Sequence, residues 1–185
     1  MSFRKITGLF GMLVCVFVAL VSFSACSKDD DDAGPGESND YYFKATFNGK
    51  ALDFTHTAKF QGGGNDGRWE HIVISGHEAR YPTDGSPFPP SYDIELWRVG
   101  GNIGAGKYES ALEEEMISRY AIQTNSGTLV YNTLTDGDNF TLNIESISDK
   151  GIRGTFGGTI RNSAGAAIEV KDGSFNLPYD ELVNP

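Results

Sequence analysis

Phe43, Ala45 and Phe47 alternate with Lys44 and Thr46, and the run stops at Asn48-Gly49. A period of two places the three apolar side chains on one face of an extended chain. Asn-Gly then supplies the two left-handed residues that a tight hairpin turn requires. The same pattern recurs to the C-terminus. A return strand is expected over residues 51–60, with Leu52, Phe54, His56, Ala58 and Phe60 on one face, followed by a glycine-rich loop over 61–68. Further strands are expected over 69–76, 92–99, 117–124, 128–132, 140–147, 152–160, 166–170 and 174–177, with Pro178 ending the pairing. Residues 100–106 are expected to form a turn-rich connector. Glycine supports the reading: 23 of 185 residues, against a usual share of about 7 %, scattered without a period among β-branched and aromatic runs. The expected fold is all-β, a single antiparallel β-sandwich or up-and-down barrel of about nine or ten short strands.

The chain ahead of this domain has a different character. Arg4 and Lys5 precede an apolar run from Ile6 to Phe23, and Ser24 and Ala25 supply small side chains before Cys26. That is the three-part layout of a secretory signal. The apolar run of about 18 residues is at the lower limit for spanning a bilayer, and no basic stop-transfer cluster follows it. Cleavage is therefore expected rather than a membrane span. Residues 1–25 are read as a signal peptide, 26–40 as Cys26 followed by an acidic disordered tether, and 41–185 as the β domain.

Phe23-Ser24-Ala25-Cys26 resembles a bacterial lipobox, although Phe23 stands where an aliphatic residue is usual. The resemblance implies that Cys26 becomes the acylated first residue of the mature chain. Ser27, Lys28, Asp29, Asp30, Asp31 and Asp32 resemble the export signal of Bacteroidota lipoproteins, which implies display on the outer face of the outer membrane. As plain chemistry, the same aspartates make a solvated, self-repelling linker. Each buried acyl methylene contributes about 0.8 kcal/mol, so the two or three chains of such an anchor would hold it almost irreversibly. A second resemblance spans most of residues 41–177. The opening Phe43-Lys44-Ala45-Thr46-Phe47-Asn48-Gly49-Lys50, the middle Gly104-Ala105-Gly106-Lys107-Tyr108 and the close Gly154-Thr155-Phe156 with Asp172-Gly173-Ser174-Phe175 are similar to small Bacteroidota surface lipoproteins with a single β domain of unknown function. The likeness implies an all-β domain and carries no catalytic residue with it.

Composition excludes several functions. Removing Arg4 and Lys5 from the 15 basic residues leaves 13 against 25 acidic ones, so nucleic acid and anionic lipid surfaces are poor partners. The membrane is expected as a partner only through the anchor. Cys15 lies in the leader and Cys26 is the anchor, which leaves the folded part without disulfides, thiol catalysis or cysteine-bound metal. It must hold together by burial, and a chain of this length buries roughly two-thirds of its unfolded surface.

No nucleophile elbow, phosphate loop or His-Glu-x-x-His is present, and no cofactor is called for. His71 and His77 share a strand face at about 20 Å separation, too far apart for one metal ion. Asn65-Asp66 and Asp136-Gly137-Asp138-Asn139 carry calcium-type oxygens, but turn chemistry explains them more simply. Glu109 to Met116, with three successive glutamates, is read as a solvent-exposed segment or a short helical turn. What remains is aromatic. Residues 81–91 hold four prolines, which excludes a helix or central strand, and loops of this length in a compact domain are commonly functional. Trp69 and Trp97 flank the loop, which carries Tyr81 and Phe88, with Tyr92 just beyond. Exposed rings stack on sugars or anchor protein partners. Trp69, Tyr81, Phe88, Tyr92 and Trp97 are therefore the candidate ligand-binding residues. The expected function is a non-enzymatic binding module for glycan or a partner protein. A lipocalin-like barrel around a small apolar ligand comes second, and a glycan-processing enzyme third.

Overall fold

The computed structural model describes residues 40–54, 60–63, 68–110, 115–134 and 139–183. The signal segment, Cys26 and the tether up to Asn39 lie outside the described residues, as do His56, Ala58, Asn65, Asp66, Glu113, Glu114 and Asp136 to Asp138. The described residues form eleven strands and no helix: β1 Tyr42–Phe47, β2 Lys50–Asp53, β3 Phe60–Gly63, β4 His71–His77, β5 Ser91–Trp97, β6 Gly106–Glu109, β7 Met116–Thr124, β8 Gly127–Asn132, β9 Phe140–Ile147, β10 Gly151–Arg161 and β11 Ala167–Val183.

The strands make one sheet folded over into two layers. The first layer runs β2-β1-β11-β10-β9-β6 and the second β3-β4-β5-β7-β8, antiparallel within each. β11 joins them. Its first part lies between β1 and β10, and from Tyr179 to Val183 it runs parallel to β3. At the opposite side, among the described residues, only Arg161↔Asn132 links β10 to β8, so the sheet they form does not close as a hydrogen-bonded barrel.

Alternation sets which side chains meet. Tyr42 to Phe47 reads outward and inward by turns, as do β4, β5 and β9. The inward set is strongly aromatic. Phe43 and Phe47 of β1 meet Tyr92 of β5 across the layers, with ring centroids 5.6 and 5.1 Å away. Phe47 also meets Tyr120 of β7 at 5.0 Å, and Phe156 of β10 meets Tyr92 at 5.5 Å. Asn48 and Gly49 have φ of 47° and 83°, the left-handed pair that a two-residue hairpin requires.

Four expectations about the strands are corrected. The return strand over 51–60 is broken: β2 stops at Asp53, and Phe60 belongs to a separate strand in the other layer. Gln61 to Gly63, expected in a loop, pair with β4. Glycine serves here because a Cβ on Gly62 would lie 2.7 Å from the Trp69 ring. β6, expected within or just after a connector, is a short edge strand held to β9. Finally, 166–177 is not two strands, and Pro178 does not end pairing. β11 runs on through Pro178, opposite Gly151. The Tyr179 amide donates to the Lys150 carbonyl at 2.8 Å, so position 178 turns its missing N–H the other way. On that side β1 has ended at Tyr42 and β3 begins at Phe60, and no ladder bond is lost. Asp172, with φ of 52°, sits where the register of β11 slips against both β1 and β10, a bulge that bends the strand.

Candidate functional site

Pairing of β4, β5 and β7 sets His77, Ser91 and Ala121 side by side in one row on the outer face of the second layer. Ser91 and Ala121 are small, so the row dips beside His77, and Gln123 stands two residues farther along β7. Residues 78–90 leave the end of β4 and return at its edge. Tyr81, Phe88 and Pro89 complete the walls of an open groove of ≈ 340 Å³.

The loop is fixed at its base. The Glu78 amide donates to the Pro90 carbonyl at 3.0 Å. The Glu78 carboxylate accepts from the Tyr120 hydroxyl and lies 3.4 Å from Lys50 Nζ. Burial, and then the Glu78 carboxylate, push the Tyr120 phenol far above its ordinary pKa; it stays protonated and donates. Further out, Tyr81 Oη and His77 Nε2 are 2.6 Å apart, and the Tyr81 ring meets Phe88 at right angles with centroids 5.3 Å apart. Both rings remain largely in solvent, Tyr81 at 57 % and Phe88 at 58 %. Large apolar rings left this open on a fixed loop are suited to ligand contact.

The five aromatic candidates separate. Tyr81 and Phe88 form the groove. Tyr92 is fully buried, its hydroxyl 2.8 Å from Ser118 Oγ, and burial pushes its phenol well above the ordinary range; it is a core residue and no part of a surface patch. Trp97 lies six residues along β5 from Ser91, about 20 Å away at strand rise. There it stacks on His71 at 4.8 Å with the rings 5° from parallel. Trp69 packs edge-on against Tyr179 at 5.1 Å, and its backbone is tied to Asn102 and Ile103. Neither tryptophan lines the groove, so tryptophan fluorescence does not report on it directly. His77, Ser91, Ala121 and Gln123 were not among the candidates. Their grouping depends on strand register, which local pattern does not reveal.

Between the groove and Trp97, the outer face carries an ion triad. Arg119 donates to Asp93 at 3.1 and 2.8 Å and to Glu95 at 2.8 Å. Burial raises the Asp93 pKa despite the guanidinium. Asp93 and Glu95 are thereby both engaged by one guanidinium. Among the described residues, no group of three or more His, Cys, Asp or Glu side chains could hold a metal ion. A second groove of ≈ 370 Å³ lies on the outer face of the other layer. Thr141, Asn143, Thr155, Asp172 and Ser174 line it over Gly157 and Gly173.

His71 gives a pH-dependent expectation. Burial outweighs the Glu95 carboxylate and holds the imidazole below its ordinary pKa of 6.5, and its Nε2 is buried without a hydrogen-bond partner. The folded state therefore binds this proton less readily than the unfolded chain. The resulting stability is present above 6.5 and is lost as pH falls from 6.5 toward the lowered folded value. The urea midpoint should drop on acidification through this window, and His71→Gln should remove that part of the drop. An unchanged profile in the variant would contradict the assignment.

Comparison with protein-family models, curated proteins and solved structures finds no match for the chain.

Proposed function

We propose that this chain is a lipid-anchored surface protein of the outer membrane whose β domain binds glycan, without catalysing a reaction, in the groove under residues 78–90. The observation that carries the reading is the pair Tyr81 and Phe88, two rings more than half exposed on a loop that Glu78, Lys50 and Tyr120 fasten at its base. Beside them, His77, Ser91 and Gln123 supply hydrogen-bonding groups over a floor deepened by the small side chain of Ala121. Apolar ring faces next to a few placed polar groups are the chemistry that a sugar ring presents in return. The lipobox-like run ending in Cys26 and the aspartates after it support the anchor and outward display.

A surface site is favoured over an interior one by how the core is filled. Phe43, Phe54, Tyr92 and Phe156 occupy the space where a lipocalin-like barrel holds its ligand, with ring centroids 5.0–5.6 Å apart. The enzymatic alternative is weakened by the Arg119 triad, which engages Asp93 and Glu95 on the outer face of the second layer.

The test is a glycan panel read on membranes from cells expressing the full-length protein. Membranes with the wild type should retain a subset of glycans. Ala121→Leu, which fills the groove floor at little expected cost to an outer face, should lower that affinity at least about tenfold, or 1.4 kcal/mol. Cys26→Ala should shift both protein and glycan binding to the soluble fraction. Equal retention by wild type and Ala121→Leu would contradict the site, and a membrane-bound Cys26→Ala variant would contradict the anchor.

A further inference from the structure

We infer that the groove takes the end of a neutral glycan chain, one sugar ring at a time, rather than the middle of a chain or a charged sugar. This rests on the glycan reading above and narrows it. The first ground is the angle between the platforms. The Tyr81 and Phe88 rings stand at 90° with centroids 5.3 Å apart. A chain lying flat across two aromatic residues needs their faces roughly parallel, so that successive sugars stack in the same sense. Perpendicular rings instead form a corner. A sugar stacked on one ring presents its rim to the other, and the second ring blocks continuation of the chain on that side.

The floor agrees with this. Ser91 and Ala121 occupy adjacent places in one cross-strand row, with His77 beyond Ser91. Neighbouring strands are about 4.8 Å apart, so the two small residues open a gap on the scale of one sugar ring. Polar groups stand at its margins: His77, already in contact with the Tyr81 hydroxyl at 2.6 Å, the Ser91 hydroxyl, and the Gln123 amide. They can meet the hydroxyls of a terminal unit, which outnumber those of an internal unit by the one freed from the glycosidic bond.

The second ground is charge. His77, Tyr81, Phe88, Pro89, Ser91, Ala121 and Gln123 include no aspartate, glutamate, lysine or arginine. The nearest carboxylate along the chain, Glu78, is held by Lys50 and Tyr120, and the whole chain carries a formal charge of −10. A uronate or sulfated sugar would enter a groove whose lining offers no lysine or arginine, on an acidic protein. Its desolvation would go uncompensated.

The experiment uses detergent-purified full-length protein and isothermal titration. The probes are malto-, cello-, xylo-, manno- and galacto-oligosaccharides of two to six units, the parent polysaccharide of any series that binds, and oligogalacturonides of matched length. End recognition predicts a dissociation constant, per mole of chain, that stays within about twofold from three to six units. It predicts that the polysaccharide titrates by moles of chain and not by moles of sugar, and that oligogalacturonides bind at least about tenfold more weakly. Affinity that climbs with length, or a polysaccharide that titrates by its sugar units, would overturn end recognition while leaving glycan binding intact. Oligogalacturonides that bind as well as neutral chains would overturn the charge argument. No binding by any probe would overturn this inference together with the glycan reading.

Discussion

Phe43→Ala is expected to destabilise the domain by about 3–5 kcal/mol, a large part of the 5–15 kcal/mol typical of a whole domain. Phe43 is 1 % exposed and sits where the layers meet. Its ring centroid is 5.0 Å from Phe54, 5.6 Å from Tyr92 and 5.6 Å from Phe156. Removing it takes away the shared neighbour of three rings, one just past β2, one on β5 and one on β10. Collapse into the space is hindered, because Tyr92 is held by its hydrogen bond to Ser118 and Phe156 belongs to the longest ladder of the first layer. A urea denaturation series measures this directly. A loss below about 1.5 kcal/mol, the range of a volume-conserving swap, would mean that the layers do not pack through Phe43.

Gly154→Ala should cost about 3 kcal/mol or more, at the upper end of overpacking. A Cβ at this position would lie 2.2 Å from the Asn143 carbonyl oxygen and 2.8 Å from Cζ of Phe175. Neither can retreat. Asn143 is paired on both sides, with Thr155 of β10 and Lys107 of β6, and the Phe175 ring is fully buried. The register on the β9 side already slips between Arg153 and Gly154, so the backbone there is committed to a bulge. Gly104→Ala is the control, since a Cβ there meets nothing within 4 Å, and it should change stability by less than about 0.5 kcal/mol. If the two substitutions were equal in a thermal melt, the close packing of β10 on β9 would be refuted.

These two positions also mark what could be read in advance. The alternation around Phe43 is local and strong, and it announces an inward face before any partner is known. Gly154 is legible only as a glycine beside aromatics; that Asn143 and Phe175 enclose it depends on pairings between residues eleven and twenty-one positions away. Pro178 was read as a stop because an isolated strand has no use for a residue without an N–H. It is accommodated by the gap between the end of β1 and the start of β3, which is a property of topology. Gly62 misled for the converse reason, since glycine signals a loop unless a ring such as Trp69 must lie against the backbone.

The candidate site was legible in the same uneven way. Four prolines and two exposed-looking rings drew attention to residues 81–91, and the loop does carry Tyr81 and Phe88 over the groove. Tyr92 shares their chemistry and follows directly in sequence, yet one step of strand alternation turns it into the core. Trp69 and Trp97 are large aromatics flanking the loop in the chain and distant from the groove on the surface. The dip that makes the groove comes from Ser91 and Ala121, unremarkable residues thirty positions apart that register makes neighbours.

The most direct test of the account is an amide NMR titration of the full-length protein in detergent micelles with whichever neutral oligosaccharide binds. The account predicts that the largest shifts fall at His77, Ser91, Ala121 and Gln123, with Tyr81 and Phe88, and that Ala121→Leu abolishes them while leaving the rest of the spectrum in place. Shifts centred instead on Thr141, Asn143, Thr155 and Ser174 across the opposite layer, or on His71 and Trp97, would place the ligand elsewhere and contradict it.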